Sequence, residues 1–504
     1  MRSLGILLVL GSLVLMTACG GGGGSSSGGG GNTSTITSVA ASCAPSPVQS
    51  GQTSQCSATV MGTGNFSSAV TWATSAGQIS ASGLLTAPII VSGSTSATVT
   101  ATSAQDSTKS GTSTETVTAI AAANNVAPII VDAGPQNLSY LSTNVPFVTI
   151  TICVPGNAPP SAECQTIDHV TVDTGSSGLR IVSSVLTIAL PPENDSNGNP
   201  LDECLVFADG YVWGPVATAD IYVVGEKAPN VPVQVMIPTT TSPPVPSGCQ
   251  NPPGGNGNEG VSVDAFGANA LIGVGLFQQD CGPGCTSGAP NFYYSCPASG
   301  CNPTNLPLPQ QVANPVSKFS TDNNGVLLQM ASVPDGGSLT ASGFLVFGIG
   351  TESNNALGSS VVYTVPDTGN NAGVFNTIFN GTNYSGSVID SGTSAFLFLS
   401  SATSGVPPTC TSDNYLYCPT TSPDNLTAVN QGSNGQSGPT THFSIENGVN
   451  LLNTSNTAFS TLGGPNPGAF DWGLPFFFGR DVFTAIENMG APGGTPPYFA
   501  YNLP

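Results

Sequence analysis

Two short segments of the chain could do acid–base chemistry. Residues 169–177 read HVTVDTGSS, and residues 387–394 read SVIDSGTS. In each, apolar residues of an alternating strand lead into an aspartate, Asp173 or Asp390, and a glycine, Gly175 or Gly392, follows two places later. A carboxylate at the tip of a buried strand sits in a medium of low dielectric. The glycine lets the backbone turn tightly beneath it. The neighbouring hydroxyls, on Thr174, Ser176, Ser391 and Thr393, are suited to hold its oxygens. Two such turns facing each other would bring the carboxyls within hydrogen-bonding distance. Like charges that close cannot both ionise, so the pair would share a proton and titrate as a unit. One carboxylate could then activate a water while the other polarises a carbonyl.

The elements that must position these turns are strands. From about residue 126 onward the chain has strand-like apolar runs broken by Pro-, Gly- and Asn-rich loops, with almost no helical periodicity. A stretch of this length exceeds one sandwich and predicts two β-rich lobes, set at 121–335 and 336–504. Residues 146–152 (PFVTITI) and 338–348 (SLTASGFLVFG) are placed to open the lobes. Residues 270–276 (ALIGVGL) and 476–483 (FFFGRDVF) follow the two Asp turns in matching order.

In these segments the chain resembles the pepsin-like aspartic proteases. The resemblance implies a bilobal β fold and a peptide-bond hydrolase with an Asp173/Asp390 dyad, water and no cofactor or metal. It further implies that 270–276 and 476–483 thread behind the two active loops. Ser176 and Thr393 would hydrogen-bond the outer oxygens of Asp173 and Asp390, and Thr174 and Ser391 would brace the loops across the cleft. Residues 207–225 look like the flap hairpin, with Phe207, Gly210 and Tyr211 near its tip, closing over substrate. The chain departs from the pattern twice. Arg180 stands where such proteases place Trp, and Phe207 stands where they carry a flap Tyr, leaving Tyr211 or Trp213 to substitute. A cation at Arg180 near Asp173 would favour its ionised form. Through GYVWG, ALIGVGLF and DWGLPFFFGR the same region also resembles a bacterial secreted family without an assigned activity.

Composition narrows the partners. Of 504 residues only 6 are Lys or Arg and 27 are Asp or Glu, a net charge of −21 with 7% charged residues. So few cations exclude a nucleic-acid footprint or a polybasic membrane patch. Two His cannot build multi-His metal sites. No G-K-[ST] phosphate loop is present. The expected partner is a polypeptide substrate or a surface ligand.

The N-terminus reads as an export signal. Arg2 precedes an apolar run over residues 4–15, too short for a normal membrane span, and then LMTAC ends at Cys19. This resembles a bacterial lipobox, which implies cleavage after residue 18, a lipid on Cys19, and a place in the cell envelope, at the outer membrane or cell surface. Residues 19–34 are a Gly/Ser-rich tether. Residues 35–120 alternate short Val/Thr/Ala runs with turns, which predicts a small β-sandwich. The GQISASGLLTAP segment there resembles a group 2 bacterial immunoglobulin-like domain, and Trp72 is its expected core aromatic. The fold class expected is therefore all-β: an immunoglobulin-like sandwich plus a bilobal pepsin-like domain with few short helices.

Thirteen Cys, twelve without Cys19, suit disulfides in an oxidising compartment. Cys43–Cys56, Cys153–Cys164 and Cys410–Cys418 are candidate neighbour pairs, although spacing alone does not fix connectivity. Two functional classes stand at this point. One is an acid-favoured endopeptidase anchored by lipid. The other is an inactive pepsin-like fold used as a binding or adhesive module on an immunoglobulin-like stalk.

Overall fold

The computed structural model describes residues 34–50, 53–87, 94–118, 124–207, 210–238, 244–250 and 262–502. The expected signal, Cys19 and nearly all of the tether lie outside the described residues. The described residues divide into two compact units, one within Leu4–Ala122 and one within Ala123–Pro504.

The smaller unit contains two four-stranded sheets. One runs in the order Thr35–Ala44, Thr53–Thr63, Leu84–Thr86, Gln78–Ile79, and the other Val48–Gln49, Ser110–Thr118, Ser94–Ser103, Val70–Thr74. Alternation puts Val99 and Val117 inward against Val48, Cys56 and Leu85, with Trp72 half-buried against them. Cys43 lies directly opposite Cys56 and is bonded to it.

In the larger unit, six strands form an antiparallel central ribbon in the order Val126–Val131, Ala341–Phe347, Gly325–Met330, Asp481–Ala485, Tyr498–Tyr501, Val361–Thr364. Residues 338–348 thus contribute to this shared ribbon. On either side the chain builds the same device. In the first half, Cys164–Asp173 runs parallel to Ala270–Val274, with Asp173 opposite Gly273, and Ser177–Val182 returns antiparallel to that same strand. In the second, Thr382–Ile389 runs parallel to Asn466–Trp472, and Phe396–Leu399 returns along it.

The central strand of each device passes between the two arms of an Asp loop, and its glycine makes the passage possible. A Cβ on Gly273 would lie 2.7 Å from the Ser177 backbone, and one on Gly473 would lie 2.2 Å from the Ala395 carbonyl oxygen. The expectation for the second half is corrected here. The threading strand is Asn466–Trp472, ending at Gly473, and 476–483 lies beyond it. Leu474–Phe476 is a single 3-10 turn, Phe476 packs on Trp472 and Tyr501, and Asp481–Ala485 joins the central ribbon. The aromatic run Phe476, Phe477 and Phe478 is buried in the core of the unit instead.

All twelve cysteines among the described residues are paired. The three expected neighbour bonds form, together with Cys204–Cys249, Cys281–Cys285 and Cys296–Cys301. No described helix is long and apolar enough to cross a membrane.

Candidate active site

The two Asp loops meet. Thr174 N–H donates to Ser391 Oγ at 3.1 Å, and Ser391 N–H donates to Thr174 Oγ1 at 2.9 Å. Each hydroxyl then donates onward to the opposite strand, Thr174 to the Ile389 carbonyl and Ser391 to the Val172 carbonyl. Both side chains are fully buried. Four bonds therefore fix one loop against the other without any charged group.

The carboxyls that this brace brings together are held alike. Asp173 Oδ1 accepts the Gly175 N–H at 2.7 Å, and its Oδ2 accepts the Ser176 hydroxyl at 2.5 Å. Asp390 Oδ1 accepts the Gly392 N–H at 2.7 Å, and its Oδ2 accepts the Thr393 hydroxyl at 2.9 Å. Every supporting residue expected from the sequence is thus at its Asp. The Asp390 carboxyl packs over Gly175 of the first loop, close enough to Asp173 for the two acids to interact. Burial first, and then the Asp173 charge, hold the Asp390 carboxyl well above the usual carboxylate range, while the Gly392 N–H pulls the other way. The site has the electrostatics of a pair that shares a proton.

A hairpin stands in the flap region over residues 201–223 and not over the expected 207–225, because Tyr211–Val223 is one continuous strand. Leu201–Val206 pairs antiparallel with Tyr211–Val223, and Phe207 N–H donates to the Gly210 carbonyl across the tip; residues 208 and 209 lie outside the described residues. Phe207 packs near Val182, Met236 and Phe266 and lines a small pocket with Thr171, Leu271 and Ser394. The hairpin tip therefore reaches beside both Asp loops. Tyr211 and Trp213 do not substitute for a flap hydroxyl near the dyad. They turn into a separate buried cluster with Tyr294 and the Cys204–Cys249 bond. The outer hairpin strand also pairs with Tyr293–Ser295, so the flap is one part of a wider sheet.

Arg180 corrects a second expectation. It leaves Asp173 alone and is wholly buried between Glu203 on the flap strand, at 2.9 Å, and Asp280, at 2.8 Å. Its other nitrogen donates to the Ser177 carbonyl in the return arm of the first loop. Tyr293 donates to the second oxygen of Asp280 at 2.6 Å. Glu203 and Asp280 lie side by side on the Arg180 guanidinium, and burial followed by the Glu203 charge raises the Asp280 carboxyl well above its ordinary value. The Arg180 charge is satisfied locally by these two acids. The reason is steric and electrostatic: a buried guanidinium needs carboxylates, and the flap strand and the 276–280 loop bring two within reach.

Glu203, Asp280 and Asp471 were not legible as site residues. Asp471 lies on the second threading strand, with Oδ2 at 2.9 Å from Thr393 Oγ1. The signal was present in the sequence: FDWG carries an Asp where ALIG carries Leu271. A search for two apolar residues before a glycine passes over it.

The chain belongs to the family described as "Protein of unknown function (DUF3443)", which matches residues 121–501. Among solved structures it is similar to the aspartic proteinase from Irpex lacteus, at 15% identity and a TM-score of 0.40, covering 75% of this chain and 96% of that one. No curated protein matches it.

Proposed function

We propose that the Ala123–Pro504 unit is an acid-favoured endopeptidase in which Asp173 and Asp390 act as a proton-sharing dyad. The observation that carries this reading is the reciprocal Thr174–Ser391 brace, which sets the half-buried Asp390 carboxyl beside the buried Asp173 loop while each Asp keeps one N–H and one hydroxyl donor. In this reading, the ionised carboxyl takes a proton from a water molecule, which attacks the peptide carbonyl carbon. The protonated carboxyl donates to the carbonyl oxygen. The tetrahedral intermediate then collapses, with a proton passing to the leaving nitrogen, to give a new carboxyl and a new amine. The Phe207 hairpin covers the cleft and limits water.

The test is cleavage of an unfolded protein by the purified protein between pH 3 and 7. Activity that is blocked by pepstatin and lost in Asp173→Asn and Asp390→Asn supports the reading, and no cleavage across that range rejects it. A binding module without catalysis is the second reading. It is favoured by one observation, that Phe207 brings no hydroxyl to the dyad and Tyr211 is packed elsewhere. It predicts saturable ligand binding that survives both Asp→Asn changes.

We further propose that a lipid on Cys19 anchors the chain at the bacterial envelope, with the Leu4–Ala122 unit serving as an immunoglobulin-like stalk. The lipobox-like sequence and the two four-stranded sheets support this. Metabolic labelling with a fatty acid should mark the wild type and leave Cys19→Ser unlabelled.

A further inference from the structure

The two threaded loops repeat each other closely, and one residue breaks the repeat. On the first threading strand, the residue two before Gly273 is Leu271, opposite Thr171. On the second, the residue two before Gly473 is Asp471, opposite Val388. In the first loop the Ser176 hydroxyl meets the Oδ2 of Asp173. In the second, the Thr393 hydroxyl lies 2.9 Å from Asp390 Oδ2 and also 2.9 Å from Asp471 Oδ2.

A hydroxyl carries one hydrogen and can donate to only one of two carboxyls. The other contact is a hydrogen bond only if that carboxyl is protonated and donates to the Thr393 oxygen. The surroundings decide which one is neutral. Burial and the Asp173 charge raise Asp390 too, but Asp390 Oδ1 has a donor in the Gly392 N–H that favours the charged form, and Asp471 Oδ1 has none. Asp471 Oδ1 is enclosed and meets no donor, and its strand neighbours are the apolar Val388 and Leu397. An ionised carboxyl there would leave charge bare in an apolar setting, whereas a neutral acid leaves only a carbonyl oxygen.

Resting on the dyad reading above, we propose that Asp471 is a positioning residue. It stands as a neutral acid, donates through Oδ2 to Thr393, and so commits the Thr393 hydrogen to the outer oxygen of Asp390. The dyad is then coupled to a third carboxyl one hydroxyl away. Burial pushes Asp471 up to about 7 even were Thr393 to donate to it, and the Asp173 charge adds to the rise. The ionisable groups that face it are Asp173 and Asp390. Arg180 is held by Glu203 and Asp280, and Arg480 by the Phe476 and His442 carbonyls. When Asp471 loses its proton to solvent, it becomes the better acceptor. It draws the Thr393 hydrogen from Asp390 and adds a negative charge beside the dyad. The alkaline limit of activity follows from that step.

Two measurements on the full chain test this. The first needs no activity. In protein labelled with ¹³C at the aspartate carboxyls, the resonance that vanishes in Asp471→Asn should be that of a neutral carboxyl at pH 5.5, with a midpoint well above that of an ordinary Asp. An ionised carboxyl at pH 5.5 would overturn the proposal, whatever becomes of the endopeptidase reading. Should the Asn variant fail to fold, Asp471→Leu, which copies the first loop, serves for the assignment. The second is the pH profile of kcat/KM. Asp471→Leu should lower it about tenfold, the order that one hydrogen bond contributes. Asp471→Asn, whose amide still donates to Thr393, should recover most of that loss and move the alkaline limb up by about one pH unit. Alkaline limbs that superimpose in wild type and Asn variant would overturn the link to catalysis, and absence of cleavage in the wild type would reject the enzyme reading alone.

Discussion

Thr174 and Ser391, 217 residues apart, each donate their backbone N–H to the other's hydroxyl oxygen. This exchange is the mechanical basis of the site, because each hydroxyl has its own hydrogen left to donate into the opposite strand. Removing one hydroxyl leaves buried partners unsatisfied. Thr174→Val and Ser391→Ala should each cost about 1–3 kcal/mol of stability, measured by denaturant unfolding. The double variant should cost less than the sum, because the second change removes partners already orphaned. Strict additivity would mean that the two loops are held by something else.

Gly175 sets the separation between the loop and the opposing carboxyl. A Cβ on it would fall 2.5 Å from Asp390 Cγ and 2.7 Å from both of its oxygens. Its position is otherwise exposed. Gly175→Ala should therefore move the Asp390 carboxyl while leaving the core intact. The expected result is a loss of peptidase activity of about 100-fold or more, the scale of a misplacement near 1 Å, with a melting temperature close to that of wild type. Retained activity would show that the dyad does not need this contact.

Much of this arrangement was legible in the chain. Both Asp turns announce themselves because strand alternation, a hydroxyl and a glycine fall at fixed offsets, and all six supporting residues lie where those offsets put them. What sequence order could not supply was which glycine passes through the second loop. Gly473 and Gly479 both follow apolar residues, and only the three-dimensional clash with the Ala395 carbonyl selects Gly473. The partners of Arg180 were hidden for a related reason. Glu203 and Asp280 are 23 and 100 residues away, and only the fold of the flap sheet makes them neighbours. Asp471 was missed because its place was defined by an apolar pattern that it breaks.

Arg180 joins the first active loop to the flap sheet. Its charge is the counterweight to Glu203 and Asp280, and Glu203 Oε2 already lacks a partner. Arg180→Met would leave two acids buried side by side, and should cost about 3–5 kcal/mol near neutral pH. Acid should shrink the penalty, since protonation removes the uncompensated charge. Adding Glu203→Gln and Asp280→Asn should restore much of the stability at neutral pH. Urea midpoints for the three proteins at pH 4 and pH 7 check this, and a pH-independent penalty would count against the charge argument.

The charge composition gains a physical meaning from the buried acids. Burial pushes Asp202 up to about 6, and burial with the nearby Asp322 and Glu352 charges pushes Glu226 up to about 7; Asp471 stands at about 7 as well. For a carboxyl whose folded value is raised, the stability it adds is complete below the unfolded value near 4. That stability is lost as pH rises through 6 to 7. The partly exposed Asp106 and Asp264, and Asp220 buried against Lys227, are held low by hydrogen bonds and act in the opposite sense, losing stability only as pH falls below the ordinary range. The cationic self-repulsion that unfolds many proteins in acid is weak here, because the whole chain has 6 Lys or Arg and 2 His. The melting temperature should therefore be highest near pH 4 to 5 and fall by pH 7.5. Asp202→Asn should flatten that slope, since Asp202 alone accounts for at most about 3 kcal/mol of it, at about 1.4 kcal/mol for each tenfold change in proton affinity. Calorimetry from pH 3 to 8 on both proteins decides the matter: a melting temperature that rises toward neutrality would mean that the buried acids are ionised in the fold.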